Sequence, residues 1–189
     1  MKTRATLSRA ATLLVIVLFS GMLQTANAQK VFATKSGQIY FNATGALVKI
    51  AAVNNQVDSK FVDATGQIIF GVLIKGFKFE NQLMEDHFNE NYMESSKFPK
   101  AEFKGYIKNI KDVNFSKDGK YAANFEGDLM IHGINKKVSA SGQVEVAQGK
   151  PTIIGEFSVK LADYGIKGSY IGDKIAGEVK IKINCKYQN

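Results

Sequence analysis

The residues of this chain that could carry out polar chemistry are few and widely spaced. There are two histidines, His87 and His132, and one cysteine, Cys185. A catalytic zinc site usually has three protein ligands, so carboxylates would have to complete any such site. The sequence contains no nucleophile-elbow motif, no glycine-rich phosphate loop and no cysteine close to a histidine. It therefore predicts no catalytic residue and no metal, although a distant serine, histidine and aspartate could still meet in space.

The elements that would have to position a site are β-strands, because apolar and polar residues alternate along the chain. The clearest case is the C-terminus, where Ile175, Val179, Ile181, Ile183 and Cys185 alternate with Lys174, Glu178, Lys180, Lys182 and Asn184. Successive side chains of a strand point to opposite faces, so this period of two indicates half-buried antiparallel strands. In this register Cys185 is a core residue. His132 falls in the outward register beside Gly133, which predicts a solvated or turn-stabilising histidine.

The alternation and the turn signals between the runs predict an all-β fold of about eight strands. The predicted strands lie near residues 38–43, 46–53, 67–79, 101–110, 120–131, 137–147, 152–162 and 174–186. Eight antiparallel strands fit a sandwich or a closed barrel, and we predict the barrel because closure removes unpaired edges. Between Phe79 and Pro99 the apolar residues are three to five apart, which predicts a short amphipathic helix at the end or side of the barrel.

The N-terminus has the features of a cleaved signal peptide. Lys2, Arg4 and Arg9 precede an apolar run from Ala10 to Met22, and Ala26-Asn27-Ala28 is a small-x-small cleavage pattern. A membrane anchor is the alternative, but about 13 apolar residues are too few where roughly 20 are needed. We therefore predict cleavage after residue 28, a single domain over residues 29–189, and export to the periplasm or the medium.

The charge of the chain bears on its partners. Loss of the three basic residues of the signal peptide lowers the formal net charge from +8 to +5. The lysines are spread along the strands and are not clustered with aromatic residues, so no nucleic-acid partner is predicted. Loose association with an anionic membrane surface is compatible with this charge. The sequence specifies no oligomeric state, and a single cysteine excludes an internal disulfide.

The inward register of the predicted barrel mixes large and small residues, and this mixture would leave room for a ligand. The predicted lumen residues are Phe103, Ala123, Phe125, Gly127, Leu129, Ile131, Phe157 and Val179. The alternative is a barrel filled by its 13 phenylalanines. On the predicted helix, Met84 and Phe88 would line a ligand entrance or would only pack the helix onto the sheet. Residues 67–79 carry large apolar side chains in both registers, one set expected to face the lumen and the other to lie beneath the helix.

Four stretches in order resemble the YceI-like family of polyisoprenoid-binding proteins. They are Met84-Glu85-Asp86-His87-Phe88, residues 97–105 (KFPKAEFKG), residues 127–133 (GDLMIHG) and residues 162–166 (ADYGI). The resemblance implies a lipocalin-like barrel whose long apolar lumen holds an isoprenoid chain, in a protein exported to the bacterial periplasm. Many relatives carry an arginine just before the acidic residue and histidine of the first stretch, whereas this chain has Leu83 and Met84 there.

Three hypotheses of function follow from these features. The first is non-catalytic binding, sequestration or transport of an amphiphilic or isoprenoid lipid in the lumen, with that lipid as the only bound group. The second is a ligand-free structural or partner-binding module of the cell envelope, with a filled lumen and an exposed apolar patch elsewhere. The third is a hydrolase of hydrophobic substrates, which would need a serine or carboxylate beside His87 or His132 inside a pocket.

Overall fold

The computed structural model describes residues 29–45 and 49–188, and this part of the chain is built mainly of strands. The strands are β1 (Val31–Thr44), β2 (Ala51–Val62), β3 (Gln67–Leu73), β4 (Lys78–Phe79), β5 (Lys100–Ile107), β6 (Gly119–Ile131), β7 (Ile134–Ala147), β8 (Lys150–Lys160) and β9 (Ile175–Lys186). One helix, α1 (Gln82–His87), continues into a π-helical turn at Phe88–Tyr92. The predicted signal peptide lies outside the described residues.

Eight of these strands form a closed antiparallel barrel. The hydrogen-bonded order is β1-β9-β8-β7-β6-β5-β3-β2, and β2 pairs with β1 to complete the ring. The two pairings of β1 are antiparallel, for example Ile39 with Ile183 of β9 and Phe32 with Phe61 of β2. The short strand β4 adds to β2 through Ala52 and Phe79. The predicted all-β barrel with one short helix is thus confirmed.

Three predicted strands have bounds that differ from the structure by more than three residues. The first was predicted at 38–43, but β1 already begins at Val31. Local irregularities account for the other two. The second strand was predicted at 46–53 but β2 runs from residue 51 to 62, and residues 46–48 lie outside the described part. Asn55 and Gln56 are consecutive exposed residues opposite a register shift at Gly37, so a β-bulge interrupts the alternation. The predicted strand 67–79 ends at Leu73, whose carbonyl accepts a 3.0 Å hydrogen bond from Nδ2 of the buried Asn54.

The two faces of β3 differ in burial. Ile68, Phe70 and Val72 are buried and point into the barrel. Ile69 and Leu73 are 38% and 51% exposed on the outer surface. The expectation that this second register lies beneath the helix is therefore wrong for Ile69 and Leu73. It is correct for Phe77 and Phe79, which continue the same register beyond β3 and pack against Phe88 of the helical segment.

One half of the barrel interior is a solid core. Four aromatic rings meet there, those of Phe32, Phe61, Phe115 and Tyr187, with neighbouring centroids between 5.8 and 6.4 Å apart. The Tyr187 hydroxyl lies 2.7 Å from Oγ of Ser59, which itself donates to the carbonyl of Ile69 at 2.9 Å. Because the serine proton is used, the tyrosine is the donor in this pair. Tyr187 is fully buried although it is nearly the last residue of the chain.

Cys185 belongs to the same core, as the alternation predicted. Its side chain is fully buried, and burial raises the pKa of the Cys185 thiol to about 12. A Cβ at Gly37 would overlap the Cys185 sulfur, so only glycine fits at this position of β1. Gly37 thus permits the close approach of β9 to β1 at the position where the register of β1 and β2 shifts.

Replacement of Tyr187 measures the contribution of this core to stability. We expect Tyr187→Ala to lower the free energy of unfolding by about 3–5 kcal/mol, because it empties a fully buried aromatic site. Tyr187→Phe removes only the hydrogen bond to Ser59 and should cost about 1 kcal/mol. Tyr106→Ala is the matched control, because Tyr106 is 52% exposed. Its replacement should lower the free energy of unfolding by less than about 1 kcal/mol. Urea denaturation gives all three values, and equal losses at positions 187 and 106 would contradict the assignment.

Candidate ligand-binding cavity

The other half of the barrel is hollow. It encloses a cavity of about 310 Å³ whose walls are almost entirely carbon. This volume lies at the small end of the range typical of ligand pockets, and an apolar cavity of this kind holds a hydrophobic molecule better than it holds water. The wall comes from every barrel strand except β2, and its members include Phe41, Phe70, Val72, Phe103, Phe125, Leu129, Ile131, Ala140, Gly155, Phe157, Val159, Val179, Ile181 and Ile183.

Most of the residues predicted to face a ligand do line this cavity. Six come from the strands and two from the helical segment: Phe103, Phe125, Leu129, Ile131, Phe157, Val179, Met84 and Phe88. Ala123 and Gly127 share the inward register but are not part of the cavity wall. Ala123 is 1% exposed inside the solid half of the barrel. Gly127 pairs with Gly105, and a Cβ on either glycine would overlap backbone atoms of the opposite strand.

Other small residues do line the cavity and leave space in it. They include Ala140 of β7 and Gly155 of β8, together with Ala43 and Ala101. A Cβ on Gly155 would have its nearest neighbour, Cε2 of Phe125, at 3.7 Å, which is an ordinary van der Waals distance. Gly155 lies between the inward-facing Ile153 and Phe157, so the alternation of β8 contained the signal that would have identified it.

A helical segment, residues 82–93, covers part of the hollow half and is called the lid below. It begins with a capped helix, because the side chain of Asn81 accepts a 2.8 Å hydrogen bond from the backbone N–H of Leu83. The ring of Phe88 packs against three other phenylalanine rings, those of Phe41, Phe77 and Phe79, at centroid distances of 5.0 to 5.7 Å. Phe88 therefore fills both of the roles considered for it, since it packs the lid and lines the cavity.

The side chain of His132 connects the turn between β6 and β7 to Glu94, the residue that follows the lid. His132 and Gly133 form the two-residue turn between β6 and β7, and both have positive φ, at 52° and 74°. The imidazole is 11% exposed, so the prediction of a solvated side chain is wrong although the position in a turn is correct. Nδ1 lies 3.1 Å from the carbonyl oxygen of Tyr164, and Nε2 lies 2.9 Å from Oε2 of Glu94.

Each ring nitrogen of His132 faces an oxygen atom, that of the Tyr164 carbonyl on one side and that of the Glu94 carboxylate on the other. The imidazole therefore bridges these two residues, which lie 70 positions apart in the chain. The Phe98 ring lies 4.3 Å from the imidazole, between ring centroids, and shields it. This bridge is called the His132 clamp below.

The described residues contain no group of three or more histidine, cysteine or acidic side chains placed to hold a metal ion. Nor does any helix among residues 29–45 and 49–188 have the length and apolar character needed to cross a membrane.

The fold and the cavity together define a class: a closed eight-stranded antiparallel barrel with a hollow, carbon-lined half beneath a helical lid. The chain belongs to the YceI-like family, because the YceI-like domain matches residues 19–187. This confirms the resemblance drawn from the sequence motifs.

Two solved structures illustrate the same fold. BcnA of Burkholderia cenocepacia is 17% identical, with a TM-score of 0.66, over 81% of this chain and 96% of BcnA. A polyisoprenoid binding domain from Saccharophagus degradans, described as implicated in plant cell wall breakdown, is 10% identical with a TM-score of 0.71, over 85% of this chain and 98% of that domain. No curated protein sequence matches the chain.

Glu94→Gln tests the His132 clamp. The substitution removes the charge that faces Nε2 and keeps the shape of the side chain. Because Glu94 is 48% exposed, we expect a loss of only about 1 kcal/mol in the free energy of unfolding. The local effect should be larger, with faster hydrogen exchange at the amides of residues 93–98. Glu90→Gln, at an exposed position of the lid, is the control. Identical exchange in the two variants would show that the clamp does not hold this segment.

Proposed function

We propose that this protein binds the chain of an isoprenoid or similar amphiphilic lipid in the hollow half of its barrel, and that it sequesters or carries this lipid without chemical change. The observation that supports the proposal is the carbon-lined cavity of about 310 Å³ beneath the lid. A cavity with so few polar groups suits a ligand whose buried part is hydrocarbon. The polyisoprenoid binding domain of Saccharophagus degradans shares the fold, and its description supports this choice of ligand class.

The energy of such binding would come mainly from apolar surface removed from water. At about 25 cal/mol per Å², a chain that buries roughly 300 Å² gains on the order of 7 kcal/mol. Loss of motion on association and ordering of the flexible chain offset part of this gain. The fit of the chain to the cavity should therefore matter more for affinity than charge on the outer face of the barrel.

The two other hypotheses are less well supported by the geometry. A ligand-free module would have a filled lumen, and side chains fill only the half that contains Phe61 and Tyr187. Ile69 and Leu73 are exposed on the outer face, as that hypothesis expects of an apolar patch, but they leave the cavity unexplained. A hydrolase would need an acidic or serine partner for a histidine inside the pocket. Glu94 does contact His132, but His132 is not part of the cavity wall. His87 does line the cavity, but within the described part of the chain its ring makes no hydrogen bond to a serine or a carboxylate.

We further propose that the protein is exported and that its mature N-terminus is Gln29. The support is the basic stretch, the apolar run and the Ala26-Asn27-Ala28 pattern that precede this residue. N-terminal sequencing of protein recovered from the envelope fraction should begin at Gln29. Intact Met1 on protein recovered from the cytoplasm would contradict export.

Gly155→Leu tests lipid binding directly. The leucine would place four carbon atoms in the cavity from a position where the backbone has ordinary φ and the space is open. We expect delipidated protein with this substitution to bind a fluorescent farnesol analogue at least about tenfold more weakly than the unaltered protein, because the cavity is partly filled. Circular dichroism should show an unchanged fold.

Ser158→Leu is the matched control on the same strand, because Ser158 is exposed on the outer face. Its affinity for the analogue should equal that of the unaltered protein. Absence of saturable binding by the delipidated unaltered protein would contradict the proposed function. Equal affinities for the two leucine variants would show that the ligand binds elsewhere.

A further inference from the structure

The polar residues of the cavity wall include a group at the side where the lid meets the loop between β8 and β9. Tyr92 is on the lid, and Tyr170 and Lys174 belong to that loop. His87, the last residue of α1, is a further polar member of the wall. Tyr170 is 49% exposed and Lys174 is also exposed, so this group lies where the cavity opens to solvent. It is called the mouth below.

The backbone of the loop holds two of these side chains together. The carbonyl oxygen of Tyr170 accepts hydrogen bonds from the N–H groups of Lys174 at 3.0 Å and Ile175 at 2.9 Å. Gly172, with φ of 93°, permits the tight turn, and its N–H donates to the carbonyl of Ile175 at 2.8 Å. As a result Nζ of Lys174 lies 4.7 Å from the centroid of the Tyr170 ring. The ammonium group of Lys174 thus makes a cation–π contact with the Tyr170 ring at the edge of the cavity.

The mouth presents hydrogen-bond donors. Burial, and then the neighbouring Tyr170, raise the pKa of Tyr92, so its hydroxyl stays protonated at neutral pH. The acidic residue of the cavity wall is Glu102 of β5, on the side of the barrel opposite β9, and its carboxylate lies 3.3 Å from Nζ of Lys104. Asp173 is exposed on the same turn as Lys174 but is not part of the wall. Lys174, Tyr170 and Tyr92 therefore line the side of the cavity that is open to solvent, where a lipid chain would emerge.

We propose that the mouth binds an anionic head group, a phosphate or a carboxylate, with Lys174 as its cation and the hydroxyls of Tyr92 and Tyr170 as further donors, while the hydrocarbon chain occupies the cavity. This inference rests on the proposed function and specifies which amphiphiles the barrel prefers. An ammonium group attracts both anions as a point charge, whereas a neutral alcohol of the same chain length makes only ordinary hydrogen bonds.

Pairs of ligands that differ only in the head group test the proposal. Delipidated protein would be titrated with farnesyl phosphate and farnesol, and with palmitate and 1-hexadecanol, below the concentration at which each forms micelles. We expect each anion to bind about tenfold more tightly than its alcohol at low salt, and the ratio to shrink as salt rises. The first pair reports on phosphate and the second on carboxylate as the source of the charge.

Lys174→Gln should reduce the ratio of anion to alcohol affinity to about one and leave the alcohol affinities unchanged. Lys180→Gln is the control, because Lys180 is an exposed residue on the outer face of β9, and it should keep the full ratio. Equal binding of anion and alcohol by the unaltered protein, or a ratio that survives Lys174→Gln, would overturn the head-group site while the lipid-binding proposal stands. Failure of all four ligands to bind would overturn the lipid-binding proposal itself.

Discussion

Closure of the barrel by β1 is the constraint on which the other features of this protein depend. Strand β1 pairs with β9 along one edge and with β2 along the other, so no barrel strand retains a free edge. Closure also fixes a narrow interior, since eight strands leave about enough room for their own inward side chains. In one half those side chains are large and meet at the centre, as Phe61 and Tyr187 do. In the other half Ala140 and Gly155 leave part of the width empty.

The sequence predicted the barrel and eight of the residues in the cavity wall, and the barrel and the six of these that lie on strands follow from local alternation. Phe125, Leu129 and Ile131 could be assigned to the lumen from the period of β6 alone. The errors arise where a side chain's surroundings depend on another strand. Gly127 was expected to provide space, but its partner Gly105 lets the two backbones approach closely and no space results. The end of β2 was misplaced because the bulge at Asn55 and Gln56, opposite Gly37, interrupts the alternation on which the prediction relied.

The lid segment is attached by two interactions of different physical character. Phe88 joins a cluster of rings, and this contact is non-directional and scales with the apolar area buried. The His132 clamp is directional, because both imidazole nitrogens have a defined partner at a defined distance. Packing of Phe88 onto the barrel was one of two roles that the sequence suggested. The His132 clamp could not be predicted, since His132 and Glu94 are far apart in the chain and the motif around each gives no sign of the other. The polar mouth lies between the lid and the β8–β9 loop, so its shape depends on both.

The place of Tyr187 in the solid core has a consequence for how the chain folds. The closing ladder pairs Gln38 with Asn184, two residues from opposite ends of the barrel sequence. Such long-range pairing has a large loop-closure entropy and is typical of slowly folding, high-contact-order topologies. A chain in which residues 175–187 are not yet available has neither the closing strand nor the Tyr187 ring of the core. The ring of eight strands therefore cannot close step by step from its N-terminal end, and its two edge strands, β1 and β8, stay unpaired on one side until the last strand arrives.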